Sequence, residues 1–201
     1  MTIPPVDFPF DDAQTSSDAL VAILQQAVAS NRHAWHLMSV ASIGLDQTPE
    51  VRTVVLRGFD AEERTFRFHT DWRSPKIAEF QRNPLAMLLM YDPLTRLQLR
   101  VPVTIELHHQ DDIAWQAWAK CQDYSRTCYA VPNAPSAVLA TDDWPTVPPM
   151  PSIDDASVYA NMCVVVCRYS RLELLHLRAG GHRRAWLDWR SGTVEMTRVA
   201  P

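Results

Sequence analysis

The chain lacks most of the features that would assign a function at sight. It has four cysteines, Cys121, Cys128, Cys163 and Cys167, and no Cys-x-x-Cys pair. With no His and Cys ligands clustered at the usual spacing, a zinc site is disfavoured, and the thiols are expected reduced and mostly buried in a cytoplasmic protein. His108 and His109 are adjacent on an expected strand, so they point to opposite faces and form no chelating pair. No apolar run approaches the roughly 18 residues of a membrane span. The first residues, MTIPPVDFPFDDAQTSSD, lack the basic-then-apolar layout of a signal peptide. A formal net charge of −4 leaves no basic footprint for nucleic acid. Neither a Ser-His-Asp arrangement nor a paired-carboxylate site stands out.

What is present describes an ordinary globular chain. It has 201 residues, 47% of them hydrophobic and 21% charged, which is enough for one domain with a sizeable core. An irregular arm is expected over residues 1–13. A helix capped by Ser16 or Ser17 should run to about Ser30, with Leu20, Ile23, Leu24, Ala27 and Val28 on one face.

The period then changes to two. WHLMSVASIG, VRTVVLRGF and Arg64 to Thr70 read as strands, followed by a helix from Pro75 to Arg82 that Asn83-Pro84 stops. LAMLLMY reads as a buried strand. RLQLRVPVTIEL alternates strictly, with Pro102 implying an edge or a bulge. DDIAWQAWAK reads as an acid-capped helix. Residues 131–152 carry six of the 15 prolines and read as a long loop or lid. SVYANMCVVVCRY, LELLHL and RRAWLDW close the chain, with a last short strand to Val199. Long helical crossovers are missing, so a doubly wound parallel sheet is disfavoured and an antiparallel barrel with peripheral helices expected.

The chemistry concentrates in TFRFHTDWRSPKIAEF. Helix starts favour acidic residues, because the dipole there is positive. This one carries Arg73 just before Ser74 and Lys76 in its first turn, with Pro75 at the first helical position. A helix N-terminus is a ready anion site, so a phosphate among these groups would account for the cations. The plain alternative is that both reach into water. In VRTVVLR, Arg52 stands among apolar residues without an obvious local acidic partner, so either a distant carboxylate or a bound anion is needed. Gln98 and Arg100 lie on the polar face of the alternating strand.

RTVVLR, then FRFHTDWRSPKIAEFQRNPLAML, then RLQLRV resemble the FMN-binding core of the pyridoxamine 5′-phosphate oxidase family. The closing LELLHLRAGGHRRAWLDW and Arg198 to Pro201 resemble its last strands. The resemblance implies a mainly β, six-stranded antiparallel split barrel that dimerises, with FMN in a cleft at the dimer interface. It further implies that Arg52, Thr53, Val54, Val55 and Leu56 line the flavin and that Arg52 reaches its phosphate. His69 and Thr70 would lie beside the isoalloxazine. Ser74 and Lys76 would form the phosphate loop, with Arg73 compensating for Pro75 where the family has Arg. Gln98 would contact the flavin.

The residues for a vitamin B6 substrate are less well kept. Arg57 stands where the family has Lys. The Tyr-x-x-x-Arg-x-x-x-Ser motif falls on Gln122, Arg126 and Ala130. The Arg-x-His motif falls on Arg183 and Ala185, and the flavin-side Trp and Arg fall on Leu175 and Leu187. The expectation is therefore an FMN-dependent oxidoreductase acting on a small molecule. The competing readings are a non-catalytic flavin-binding or sensing module and a residual pyridoxamine phosphate oxidase. No nucleic-acid or membrane partner is expected.

Overall fold

The computed structural model describes residues 7–140, 144, 146 and 148–201. Residues 1–6 of the expected arm, and 141–143, 145 and 147 of the expected Pro-rich loop, lie outside the described residues. The first helix, α1 (Ala13–Ala29), starts earlier than the serines predict. Asp12 is the cap, its carboxylate accepting from the Thr15 backbone N–H at 2.9 Å. Ser16 and Ser17 are buried inside the helix, and Ser16 Oγ donates to the Pro9 and Asp12 carbonyls.

Among the described residues ten strands follow: β1 (Leu37–Ile43), β2 (Pro49–Val55), β3 (Gly58–Asp60), β4 (Thr65–Asp71), β5 (Leu85–Asp92), β6 (Leu97–His108), β7 (Met162–Arg168), β8 (Arg171–His176), β9 (Arg183–Asp188) and β10 (Glu195–Val199). Every pairing is antiparallel. Six of them form the path β2-β1-β5-β6-β7-β4, curled into the expected split barrel. β3 adds to the outer side of β4, and β8, β9 and β10 extend the sheet from the first half of β6.

The segment expected as one strand over VRTVVLRGF is broken. The Leu56 N–H donates to the His36 carbonyl and the Arg57 N–H to the Arg67 carbonyl, so the chain leaves the β1 side and joins β4. Pro102 sits in a central strand rather than at an edge. The Ile105 N–H points toward the β5 side, bonding Pro84, so the even-numbered residues of β6 turn their amides the other way. There β8 pairs residues 97–100 and β7 pairs 104–108. Pro102 falls in the gap between the two partners, where a missing N–H costs nothing.

Helix α2 (Pro75–Arg82) has the predicted bounds and buries Ile77 and Phe80. Helices α3 (Asp112–Ala119) and α4 (Asp123–Ala130) follow β6, and Asp111 caps α3 as expected. SVYANMCVVVCRY is not all strand. Its first residues form the short α5 (Ala156–Tyr159), capped by Asp155.

Strand β7 is buried on both faces. Cys163, Val165 and Cys167 enter the barrel core, while Met162, Val164 and Val166 enter a second core with Trp118, Tyr129 and Val158. All four cysteines are free thiols. Among the described residues, no helix is long and apolar enough to cross a membrane.

Candidate functional site

The start of α2 is where the sequence-predicted residues converge. Strand β4 delivers Thr70 and Asp71, a short turn carries Trp72 and Arg73, and buried Ser74 caps the helix without a side-chain cap bond of its own. The Ser74 hydroxyl is instead taken by Lys76, whose Nζ donates to it at 2.6 Å and to Thr70 Oγ1 at 3.1 Å. Lys76 is half-buried, and among the described residues no carboxylate pairs with it. Burial, followed by the neighbouring Arg52, pushes its ammonium below the usual lysine value, with Glu79 and Asp71 opposing.

Arg52 does find a distant carboxylate. Its guanidinium donates to Glu79 Oε2 at 2.7 Å and to Ser42 Oγ, and Ser42 Oγ donates to the same carboxylate oxygen at 2.5 Å. Glu79 and Ser42 are both buried. Sequence reasoning missed both partners. The one available signal was Glu79 standing on the core side of α2 between Ile77 and Phe80.

Arg73 is committed elsewhere than the expected phosphate role. It grips Asp71 with Nε at 3.0 Å and Nη2 at 2.7 Å, which raises its already high pKa. Its terminal nitrogens also donate to the Val131 and Pro132 carbonyls, tying the Pro-rich segment to the start of α2. The two cations at the start of α2 therefore do not simply reach into water. Asp71 holds Arg73, two hydroxyls hold Lys76, and Arg67 is exposed.

The strand residues divide. Thr53 is exposed on the edge strand β2, Val55 is half-buried and Val54 packs on the core. Leu56 is wholly buried, so its side chain lines the core rather than a ligand cleft, and its N–H is already bonded. Gln98 sits on the outer face of β6 between Tyr91 and Leu175. His69 alternates with Thr70 on β4. Its imidazole is pushed down to about 4, first by burial and then by Arg57 and Arg67, so it is neutral at pH 7.

Of the two other expected substrate residues, Arg126 is engaged within the helix pair and Arg183 lines a different cavity from Arg57. Arg126 is buried, donating to Asp123 at 2.9 Å and to the Cys121 carbonyl at 3.0 Å, with its guanidinium over the Trp118 ring. It braces α3 against α4. Arg183, on β9, is 3.8 Å from Asp7 and lines a cavity with Phe10 and Arg198, whereas Arg57 lines a different one.

The donor set at α2 suits a phosphate: a half-buried ammonium with hydroxyl partners only, a second cation beside it and a helix start. Comparison with known proteins agrees in kind. Residues 18–109 match the family described as pyridoxamine 5′-phosphate oxidase, FMN-binding domain. A pyridoxine/pyridoxamine 5′-phosphate oxidase from Acinetobacter baumannii is 36% identical over 89 residues, which cover 44% of this chain and 40% of that one. The pyridoxine/pyridoxamine 5′-phosphate oxidase 2 of Arabidopsis thaliana is 28% identical over 182 residues, covering 86% and 90%.

Two solved structures share the fold. One is a pyridoxamine 5′-phosphate oxidase-related, FMN-binding protein from Nostoc punctiforme, with a TM-score of 0.75 and 23% identity over 92% of this chain and 96% of that one. The other is PhzG from Burkholderia lata, at 0.68 and 16% over 100% and 98%. Together these structures show the split-barrel fold. Residues 18–109 of the chain are similar to that family's FMN-binding domain, and the chain spans less than half the length of the bacterial relatives it matches.

Proposed function

We propose that this protein binds FMN, with the phosphate at the start of α2, and acts as an FMN-dependent oxidoreductase on a small molecule. The observation that carries the reading is Lys76, a half-buried ammonium held by the Thr70 and Ser74 hydroxyls and by no carboxylate among the described residues. A phosphate there would replace weak neutral acceptors with a charged one. Lys76, Ser74 and the α2 amides would hold it. Arg52, fixed by Glu79, would offer guanidinium N–H groups beside it. When bound, the flavin supplies the electron-transfer chemistry. Gln98 offers an amide to the ring system, and neutral His69 offers a hydrogen bond without adding charge.

The same reading has the protein work as a homodimer. Leu37 on β1, Val51 on β2, and Leu85, Leu89 and Tyr91 on β5 are exposed on one outward sheet face, Val51 to 69% and Leu85 to 63%. An apolar patch spread over three adjacent strands suits a second copy of the chain.

Specific oxidation of pyridoxamine phosphate is a weaker reading. Arg126 is spent on Asp123 and Cys121, and Ala185 stands where the Arg-x-His motif needs a histidine. A non-catalytic flavin-binding module shares every feature of the phosphate site and differs only in turnover.

The test is a visible absorption spectrum of the purified protein, with the released ligand identified by mass. FMN in near one-to-one amount supports the cofactor, and NAD(P)H-dependent turnover would then separate the enzyme from the binding module. A colourless protein that takes up no added FMN would remove the proposed function and leave the fold.

A further inference from the structure

One cavity shares no residue with the α2 start. It has a volume of about 340 Å³ and is lined by α1, by the segment before it and by the turn from β5 to β6. Ala19, Ile23 and Gln26, spaced along one face of α1, contribute the helical side. Phe8, Pro9, Trp35 and Leu97 complete the apolar lining.

The segment before α1 is held in place. Phe8 and Phe10 are buried and meet edge to face, with ring centroids 5.1 Å apart. The Pro9 carbonyl accepts from Ser16 Oγ at 2.8 Å, and the Phe10 and Asp11 carbonyls accept from Arg198 at 3.0 and 2.9 Å. These ties fix one wall of the cavity.

Trp35 supplies the first clue to an occupant. It is 1% exposed, and its indole Nε1 is buried with no hydrogen-bond partner among the described residues. A buried tryptophan N–H ordinarily finds an acceptor. Because Trp35 lines the cavity, a molecule inside it can bring the acceptor that the fold does not.

Charge supplies the second. Asp7 and Asp92 line the cavity, and among the described residues no Lys or Arg does. Asp7 is paired with Arg178 at 3.3 Å, whereas Asp92 takes only the Leu94 N–H and the Thr95 hydroxyl. His33, also in the lining, adds no positive charge at pH 7. Burial pushes its imidazole below the ordinary value against the pull of Asp92, and its Nδ1 accepts the Trp35 backbone N–H at 3.1 Å. An anion here would meet Asp92 with no cation to offset it.

We infer that this cavity is a second small-molecule site, taking an uncharged bicyclic heteroaromatic whose ring nitrogen accepts from Trp35 Nε1. The volume is at the small end for a ligand pocket, and a mostly apolar lining with a few polar groups suits a planar ring system. The site is chemically unlike the phosphate cradle at α2 and does not depend on the flavin reading.

The probe is quinoline, whose ring nitrogen is unprotonated at pH 7. The protein, isotope-labelled at its tryptophans, is titrated with it, and the indole N–H signals are followed by NMR, with Trp35 assigned by Trp35→Phe. A saturable downfield shift of the Trp35 N–H is expected. By calorimetry, Trp35→Phe should bind quinoline at least tenfold more weakly. Indole, which is similar in size but offers a donor instead of an acceptor, and quinoline-2-carboxylate, which adds an anion, should each bind the native protein at least tenfold more weakly than quinoline. Ala19→Leu, at a half-buried helix position, should fill the cavity and abolish the shift.

No movement of the Trp35 signal with quinoline, or equal affinity in Trp35→Phe, would overturn the inference. So would an undiminished titration in Ala19→Leu, which would place the binding elsewhere. Equal binding of the carboxylate or of indole would overturn the ligand class.

Discussion

The Arg52 guanidinium lies 2.7 Å from the Glu79 carboxylate, bridging an edge strand and the helix whose first turn carries Lys76. The carboxylate is buried and Arg52 is mostly so. Breaking such a pair from one side leaves an uncompensated charge, at a cost of about 3–5 kcal/mol when fully buried and less with partial exposure. Glu79→Ala should therefore lower unfolding free energy by roughly 2–4 kcal/mol, read from urea denaturation. The apolar double variant Arg52→Met/Glu79→Leu should recover most of that stability while still binding flavin more weakly than the native chain. Full flavin affinity in the double variant would show that Arg52 has a structural role only.

Lys76→Ala should weaken flavin binding by about 1.5–3 kcal/mol, the scale of a charged hydrogen bond. Fluorescence titration of the apoprotein measures it, and unchanged affinity would remove Lys76 from the site. The native affinity should also fall at alkaline pH. Because the Lys76 pKa is lowered, its charge is lost earlier than that of an ordinary lysine, so the decline should begin below pH 10.5 and be absent in Lys76→Ala.

His69 makes the fold sensitive to acid. Its folded pKa is about 4 against an ordinary 6.5, so between those values the unfolded chain binds more protons and stability falls as pH falls. The full contribution is about 3 kcal/mol. His69→Gln should flatten the stability profile across this window. Urea midpoints at pH 7, 5.5 and 4.5 for both proteins would show the difference, and parallel profiles would contradict it.

The outward apolar face predicts its own variant. Leu89→Glu places a charge in the middle of the patch formed with Leu37, Val51 and Leu85. Sedimentation should show the native chain as a dimer and Leu89→Glu as a monomer with lowered flavin content. A native monomer that binds FMN fully would show that one chain completes the site.

Much of the framework was legible because it rests on local rules. The Ser74-Pro75 start and Asn83-Pro84 stop gave α2 its exact bounds, and the alternation from Leu97 to Leu107 gave β6. What the sequence hid depends on distant groups. Nothing near Arg52 in the chain points to Glu79, which is 27 residues away and becomes a partner only when α2 packs on the barrel. The break after Val55 follows from two carbonyls, of His36 and Arg67, that no pattern in VRTVVLRGF reveals. Asp71 was in plain view beside Arg73, yet a cation near a helix start reads as a ligand group until its carboxylate is seen folded back on it. Arg126 misled for a related reason: a motif position survives as a residue type while its donors serve the helix pair.

The burial of β7 on both faces has a consequence for synthesis. Among the described residues, strand β4 is joined to the rest of the sheet through β7 alone, apart from its own hairpin with β3. Both apolar cores take residues from β7. Residues 162–168 leave the ribosome after every other strand of the barrel, so neither core can be completed until the last fifth of the chain emerges. Until then β4 exposes an open edge, and the nascent chain depends on its own speed, or on a chaperone, to keep that edge from pairing with a neighbour.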